Sequence, residues 1–384
     1  MRPLAWGGGG TSAAAVDALY DRLGRGPASP VVVMANTEAA FEDAVARITQ
    51  PLDGVDVVIQ TSGSTDGRGH LVGLSRTALD ASARATYDRL GGPGQWLTSL
   101  PVHGVAGFQV VNRSVLAGRR PIVYAPGHGF DAALFEEALA GLTPGIPHYL
   151  SLVPTQLHHI VVAAPELLAG FDAILVGGAA LAPDLAARAA AAGARIVRTY
   201  GSTETAGGCV YDGVPLDGVR ARVVHGRVHL AGDTLLTRYL DTADQPFSED
   251  GWLVTQDVGA WEDGRLSVLG RADDVIISGG VNVHPVRVEA ALAPLGGQWV
   301  VVGVPDEHWG QRVVAVTDAV PPPGPDAVRA ATAHLAPAER PKDVLARADL
   351  PLRPTGKVDR RKVGEYAAES FRKGPARDDQ DRPA

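Results

Sequence analysis

Val57-Val58-Ile59-Gln60-Thr61-Ser62-Gly63-Ser64-Thr65-Asp66-Gly67-Arg68-Gly69-His70 decides how this chain is read. The apolar run at its start predicts a buried strand. The strand opens into a loop of hydroxyls and glycines, where backbone N–H groups converge and Ser and Thr add donors, an arrangement suited to phosphate. The loop matches neither G-x-x-x-x-G-K-[ST] nor G-x-G-x-x-G, and it holds no lysine. Read alone, Thr61, Ser62, Gly63, Ser64 and Thr65 form either a cradle for nucleotide phosphates or a Ser/Gly surface turn.

Around this stretch, apolar runs alternate with Ala/Leu-rich helical stretches. Val31-Val32-Val33-Met34, Trp96-Leu97-Thr98-Ser99-Leu100, Ile122-Val123-Tyr124 and Ala173-Ile174-Leu175-Val176 precede helices expected at 38–49, 105–116, 131–142 and 181–191. A further strand is expected at 195–200. The alternation predicts an α/β fold of layered subdomains with parallel strands. From residue 221 the texture changes to short strands and turns, at 227–230, 252–254 and 266–269, which reads as a small β-rich subdomain. After Gly270-Arg271 a small α+β unit is expected, with strands at 299–304 and 312–317. We therefore expect an N-terminal domain over 1–270, a C-terminal domain over 271–369, and a polar, Pro-containing disordered tail over 370–384.

Composition narrows the function. The 384 residues suffice for two or three domains, and 45% hydrophobic with 20% charged residues is ordinary for a soluble globular protein. A net charge of −8 without a Lys/Arg block argues against nucleic acid as a partner. The lone Cys209 forms no internal disulfide, which favours a reducing compartment. The N-terminus lacks the apolar centre of a signal peptide, and no run reaches the length of a membrane span. A cytoplasmic location is expected. The sequence allows a homodimer without requiring one.

Four later segments bear on the loop. Tyr200-Gly201-Ser202-Thr203-Glu204-Thr205 closes an expected strand, and ligands of α/β sheets bind at the carboxyl ends of strands. Glu204 there is either a Mg²⁺ ligand, a hard oxygen for a hard cation, or part of a capped turn. Asp257, in Thr255-Gln256-Asp257-Val258-Gly259, either accepts hydrogen bonds from ribose hydroxyls or makes an ordinary Asp turn. The third segment is Gly270-Arg271-Ala272-Asp273-Asp274-Val275-Ile276-Ile277-Ser278-Gly279-Gly280. The fourth is Leu350-Pro351-Leu352-Arg353-Pro354-Thr355-Gly356-Lys357-Val358-Asp359-Arg360.

Together, in this order and from Thr61 to Lys357, these motifs resemble the acyl-adenylate-forming superfamily of acyl-CoA synthetases, luciferases and adenylation domains. Within it, residues 207–218 (Gly-Gly-Cys-Val-Tyr-Asp-Gly-Val-Pro-Leu-Asp-Gly), Leu100-Pro101-Val102-His103-Gly104-Val105-Ala106-Gly107 and Ser151-Leu152-Val153-Pro154-Thr155-Gln156-Leu157 resemble the actinobacterial o-succinylbenzoate–CoA ligases of menaquinone biosynthesis. The resemblance implies two half-reactions. A carboxylate attacks the α-phosphorus of MgATP to give an acyl-adenylate and pyrophosphate. The thiol of coenzyme A then displaces AMP. ATP, Mg²⁺, coenzyme A and a small-molecule acid are the implied cofactor and substrates.

The resemblance also assigns roles. Lys357 would neutralise charge between the carboxylate and the α-phosphate, and a compact ammonium on a long stem suits that role. Thr61 to Thr65 would hold the β- and γ-phosphates, Glu204 the Mg²⁺, and Thr205 would face the α-phosphate. Gly177 and Gly178 would wall the adenine and acyl pocket, with Gly207 and Gly208 beside the acid. Tyr200 would stack on adenine, and Asp257 and Arg271 would hold the ribose. Asp273 would be the hinge of a C-terminal domain that swings between half-reactions. Ser278, Gly279 and Gly280 would line the channel for the CoA arm.

The acid has a second carboxylate that stays charged in a largely apolar pocket and needs a cation there. Arg113, in an apolar helical stretch, is the expected partner unless it lies on an exposed helix face; His103 would gate the pocket. The phosphate loop departs from the superfamily, which places Gly-x-Pro-Lys after the hydroxyls. Here Asp66-Gly67-Arg68-Gly69-His70 stands instead, leaving Arg68 or His70 to replace the missing lysine. Two alternatives are kept: another acyl- or aryl-CoA ligase or stand-alone adenylation enzyme, and a non-catalytic nucleotide-binding relative.

Overall fold

The strand Val31–Met34 is buried along its whole length because helices cover both of its faces. Val32 and Met34 point into one core and Val31 and Val33 into another, so the run is apolar without alternation. A computed structural model describes residues 3–25, 30–61, 69–127, 129–352 and 358–372 of the chain. The expectations placed on Ser62, Gly63, Ser64, Thr65, Asp66, Arg68 and Lys357, and on the tail beyond residue 372, lie outside the described residues.

The chain divides into two compact units: residues 1–181 with 185–268, and residues 269 onward, which take in 182–184. The first unit holds two large sheets. One runs Leu4–Trp6, Val31–Met34, Val57–Gln60, Leu71–Leu74, Arg238–Tyr239, with the first three strands parallel and the last two antiparallel. The other runs Val214–Pro215, Gly207–Tyr211, Ile196–Ser202, Ala173–Gly177, His148–Leu152, Gln95–Thr98, Ile122–Val123, and is parallel from Ile196–Ser202 onward. Helices Ala13–Gly24, Arg76–Leu90 and Val105–Leu116 share a core with the facing sides of both sheets. Helix Glu38–Arg47 covers the outer side of the first sheet, and Ala132–Ala140, Pro154–Ala163 and Pro183–Ala191 that of the second. The result is the expected α/β layering. A third sheet, Val219–Val224, Arg227–Gly232, Leu253–Glu262, Arg265–Arg271, is the expected β-rich part.

Local chemistry sets the helix starts. Ser12, Thr37, Ser75 and Asp131 each accept a hydrogen bond from the N–H three residues on, satisfying a donor that the first helical turn leaves open. Helix Val105–Leu116 has buried residues all round, from Gly107 through Ser114, because it lies between the two sheets.

In the second unit, Trp299–Asp306 and Gly310–Thr317 form an antiparallel pair to which Ile276–Ser278 and Asp343–Ala346 add on Gly310–Thr317. One face, with Val301, Val313 and Ala315, packs on helix Pro285–Leu292; the other, with Val300, Val302 and Val314, packs on helix Arg360–Arg372 through Val363 and Ala367. That helix runs through residues 370–372, which the composition had assigned to the tail. Among the described residues no helix is long and apolar enough to cross a membrane.

Candidate functional site

The carboxyl end of strand Ile196–Ser202 brings together residues from distant parts of the first unit. Tyr200 donates its phenol hydrogen bond to Asp257 Oδ2 at 2.7 Å. Burial raises the Tyr200 phenol well above its ordinary range, and the Asp257 charge adds to this, so the phenol stays a neutral donor. The Asp257 N–H is held by Thr255 Oγ1 at 3.1 Å. Glu204 follows in the short 3₁₀ turn Thr203–Thr205. It is half-buried, and its Oε1 accepts from the Tyr239 hydroxyl at 2.9 Å. Thr205 is fully buried; its hydroxyl accepts from the Ser202 N–H at 2.9 Å and lies 2.8 Å from Gly207 O. A hydroxyl so engaged braces the turn that presents Glu204.

The two described ends of the segment expected to hold phosphate, Thr61 and His70, are paired. Thr61 N–H donates to His70 O, and His70 N–H donates to Thr61 Oγ1, each at 2.9 Å. The His70 ring stacks on Tyr239, centroids 4.3 Å apart at 20°. Its Nδ1 is 3.4 Å from Asp241 Oδ1. Asp241 also accepts from Arg47 at 2.7 Å and from the Leu71 N–H at 3.1 Å.

Two glycines are dictated by close approach. A Cβ on Gly177 would stand 2.2 Å from Thr199 Oγ1 on the neighbouring strand. Gly207, at φ 103°, turns the chain back into strand Gly207–Tyr211 beside Gln109. Gly178 and Gly208 adjoin these two. Cys209 follows Gly208 on strand Gly207–Tyr211 and is fully buried, its thiol pushed up to about 12 by burial.

Helix Val105–Leu116 carries Arg113 inward. The residue is 3% exposed, so it is not on an exposed helix face. Its guanidinium lies 5.0 Å from the Trp96 ring centroid and 3.5 Å from the Tyr211 hydroxyl. Among the described residues it has no carboxylate partner, and its Nε is buried without a hydrogen bond. His103, before the helix, is half-buried; its Nδ1 accepts from the Gly10 N–H at 3.2 Å, which fixes the Nε2–H tautomer. Burial lowers its pKa below the ordinary value.

In the second unit Arg271 grips Asp273 with a two-pronged contact, Nε to Oδ1 at 2.8 Å and Nη2 to Oδ2 at 3.1 Å. Ser278 is buried, and Gly279 and Gly280, at φ 57° and 78°, make the two-residue turn between strands Ile276–Ser278 and Val281–Val283.

Residues 15–234 match the model of the AMP-binding enzyme family, and residues 287–357 that of the AMP-binding enzyme C-terminal domain. The chain belongs to the AMP-binding enzymes. Among relatives of this AMP-binding enzyme, a probable 2-succinylbenzoate–CoA ligase of Mycobacterium tuberculosis is 42% identical over 374 residues, 94% of this chain and 97% of that protein. The 2-succinylbenzoate–CoA ligase of Escherichia coli is 32% identical over 278 residues, 67% of this chain and 57% of that protein. A solved E. coli MenE variant with bound OSB-AMS superposes with a TM-score of 0.69 at 27% identity, covering 84% of this chain and 70% of that one.

The donor set of this AMP-binding enzyme suits Mg²⁺. Among the described residues no group of three or more His, Cys, Asp or Glu side chains converges. A single half-buried carboxylate, Glu204, is what a hexacoordinate cation needs when substrate phosphates and water supply its other ligands. Tyr239 and Asp241, which hold Glu204 and the loop base, escaped the sequence reading. Their only local signal is the short segment Arg238-Tyr239-Leu240-Asp241, and their partners lie far away in sequence.

Proposed function

We propose that this AMP-binding enzyme is an ATP-dependent 2-succinylbenzoate–CoA ligase of menaquinone biosynthesis. The near-full-length similarity to the M. tuberculosis ligase, 42% over 94% of this chain, carries the identity of the acid. The carboxylate of the succinyl arm attacks the α-phosphorus and expels pyrophosphate. The thiol sulfur of coenzyme A then attacks the acyl carbon, AMP leaves, and the thiol proton passes to solvent.

On this reading Tyr200 and Asp257 form the adenosine floor, the ring for adenine and the carboxylate for the ribose hydroxyls. Glu204 would hold Mg²⁺, which neutralises triphosphate charge when bound. Thr61 begins the phosphate loop and Thr205 braces the turn beneath it. Lys357 supplies the positive charge at the reacting oxygens. Arg113 takes the ring carboxylate of the acid: a buried cation without an acidic partner is costly, and a substrate anion would relieve it. His103 presents Nε2–H to the pocket walled by Gly177, Gly178, Gly207 and Gly208. Arg271 and Asp273 open the mobile C-terminal domain, with Asp273 as hinge, and Ser278, Gly279 and Gly280 line the CoA channel. We place the enzyme in the cytoplasm and take a homodimer as the assembly to test first.

The test is mass-spectrometric detection of 2-succinylbenzoyl-CoA from ATP, CoA and the acid, beside a panel of other acids and with Lys357→Ala as control. Faster thioester formation with any other acid overturns the assignment.

A further inference from the structure

Glu204 is gripped twice by one short segment. The Leu236 N–H donates to Glu204 O at 2.7 Å, and the Tyr239 hydroxyl donates to Glu204 Oε1 at 2.9 Å. Tyr239 is itself in register with Val72 on strand Leu71–Leu74, and the Leu240 N–H donates to Leu71 O at 2.8 Å. The ring of Tyr239 is fixed by the stacked His70 imidazole, 4.3 Å away. His70 closes the phosphate-loop base through Thr61 and leans on Asp241, whose second oxygen Arg47 holds at 2.7 Å; the same arginine donates to Gly69 O at 2.5 Å.

We propose that Tyr239 is the positioning residue of the metal-binding Glu204, and that His70 acts through Tyr239 by stacking rather than as a replacement phosphate ligand. This inference rests on the nucleotide reading above. A hydrogen-bond donor on one oxygen of a ligating carboxylate orients the other oxygen toward the cation, and such partners typically contribute 10–100-fold in metal affinity or activity. A tyrosine left free about its own χ angles would supply that orientation only part of the time. Stacking against a residue of the loop base removes the freedom, and it makes the base of the phosphate cradle and the metal carboxylate a single assembly. The base of the lysine-free segment is thereby tied to the metal carboxylate through stacked rings, with the Arg47–Asp241 ion pair behind them.

Three variants test this: Tyr239→Phe, His70→Ala and His70→Phe. The Mg²⁺ dependence of ATP–pyrophosphate exchange is measured with 2-succinylbenzoate. Independently of turnover, Mn²⁺ binding is followed by electron paramagnetic resonance in the presence of α,β-methylene-ATP. Tyr239→Phe should raise half-saturating Mg²⁺ and the Mn²⁺ dissociation constant by about tenfold or more. The KM for the acid should not move, and kcat at saturating Mg²⁺ should fall far less than metal affinity. His70→Ala should share the metal defect, and His70→Phe, which keeps the stack without a ring nitrogen, should restore it. Wild-type Mn²⁺ affinity in Tyr239→Phe overturns the role of Tyr239, and His70→Phe as impaired as His70→Ala overturns the stacking. Failure of the underlying nucleotide reading shows separately, as wild-type protein that binds no Mn²⁺–nucleotide at all.

Discussion

Tyr200 and Asp257 lie 57 residues apart in sequence and share a 2.7 Å hydrogen bond that joins the strand end to the β-rich sheet. The bond holds the carboxylate at the strand end, where on the proposed reading it receives the ribose hydroxyls. Replacing Asp257 with Ala removes hydrogen bonds to a charged acceptor, about 1.5–3 kcal/mol. The KM for ATP in pyrophosphate exchange should therefore rise by at least about tenfold. Tyr200→Phe, which keeps the ring, should cost less. Unchanged ATP affinity in Asp257→Ala would remove the residue from the nucleotide site.

Arg113→Met separates binding from folding. Exchanging a buried, acid-free cation for an apolar chain of similar length should leave the melting temperature equal or higher. Steady-state kinetics should show the KM for 2-succinylbenzoate rising by about two orders of magnitude, as loss of a charged hydrogen-bonded partner implies. Should the KM stay put while stability falls, Arg113 is a core residue and not the acid's receptor.

His103 predicts a pH effect with a definite sign. Burial depresses its folded pKa below the ordinary 6.5. The unfolded chain therefore binds the proton first as the pH drops. The contribution is fully present above about 6.5 and is lost as the pH falls toward the folded value. His229 and His284, also depressed by burial, act in the same direction. Urea midpoints should decline below neutral pH, and His103→Gln, which can still accept from Gly10 N–H but does not titrate, should show a shallower decline. An identical slope in wild type and variant would refute the assignment.

In the second unit, Glu289 Oε1 accepts from the Val301 N–H at 2.8 Å and from Arg360 Nη1 at 2.5 Å, and Arg360 also donates to Val301 O at 2.5 Å. Glu289→Ala leaves the Arg360 guanidinium with only the more distant Asp274 carboxylate, 3.7 Å from its Nε. Destabilisation of about 1.5–3 kcal/mol is expected. Hydrogen exchange should accelerate in helices Pro285–Leu292 and Arg360–Arg372 before it does in the first unit, and exchange that rises uniformly across both units would contradict this.

The layered fold was legible where burial is two-sided: Val31–Met34 and Ala173–Gly177 read as strands because every residue is apolar or small. Helix Arg76–Leu90 escaped because its buried face is mostly small or polar: Ala78, Ser82, Ala83, Ala85 and Thr86, with only Leu79 and Tyr87 large. Small residues let it approach both sheets, and its hydroxyls find backbone partners, Ser82 on Ala206 O and Thr86 on Ser82 O, so two large side chains alone leave only a faint apolar stripe. Strand His148–Leu152 was seen only as part of a motif. At the site, Glu204 and Asp257 stood out because each sits beside an expected strand. Tyr239 did not, since a two-residue strand has no period and its partner Glu204 is 35 residues away.

The burial of Cys209 reaches into how the chain behaves toward its own chemistry. An acyl-adenylate is an electrophile that any accessible thiolate would intercept, consuming ATP to acylate the protein instead of the carrier. The chain's sole sulfhydryl is sealed off and stays protonated with a pKa near 12, so the incoming CoA sulfur meets no internal competitor. The same property allows Ellman's reagent to follow CoA consumption directly, with the native protein contributing no background colour.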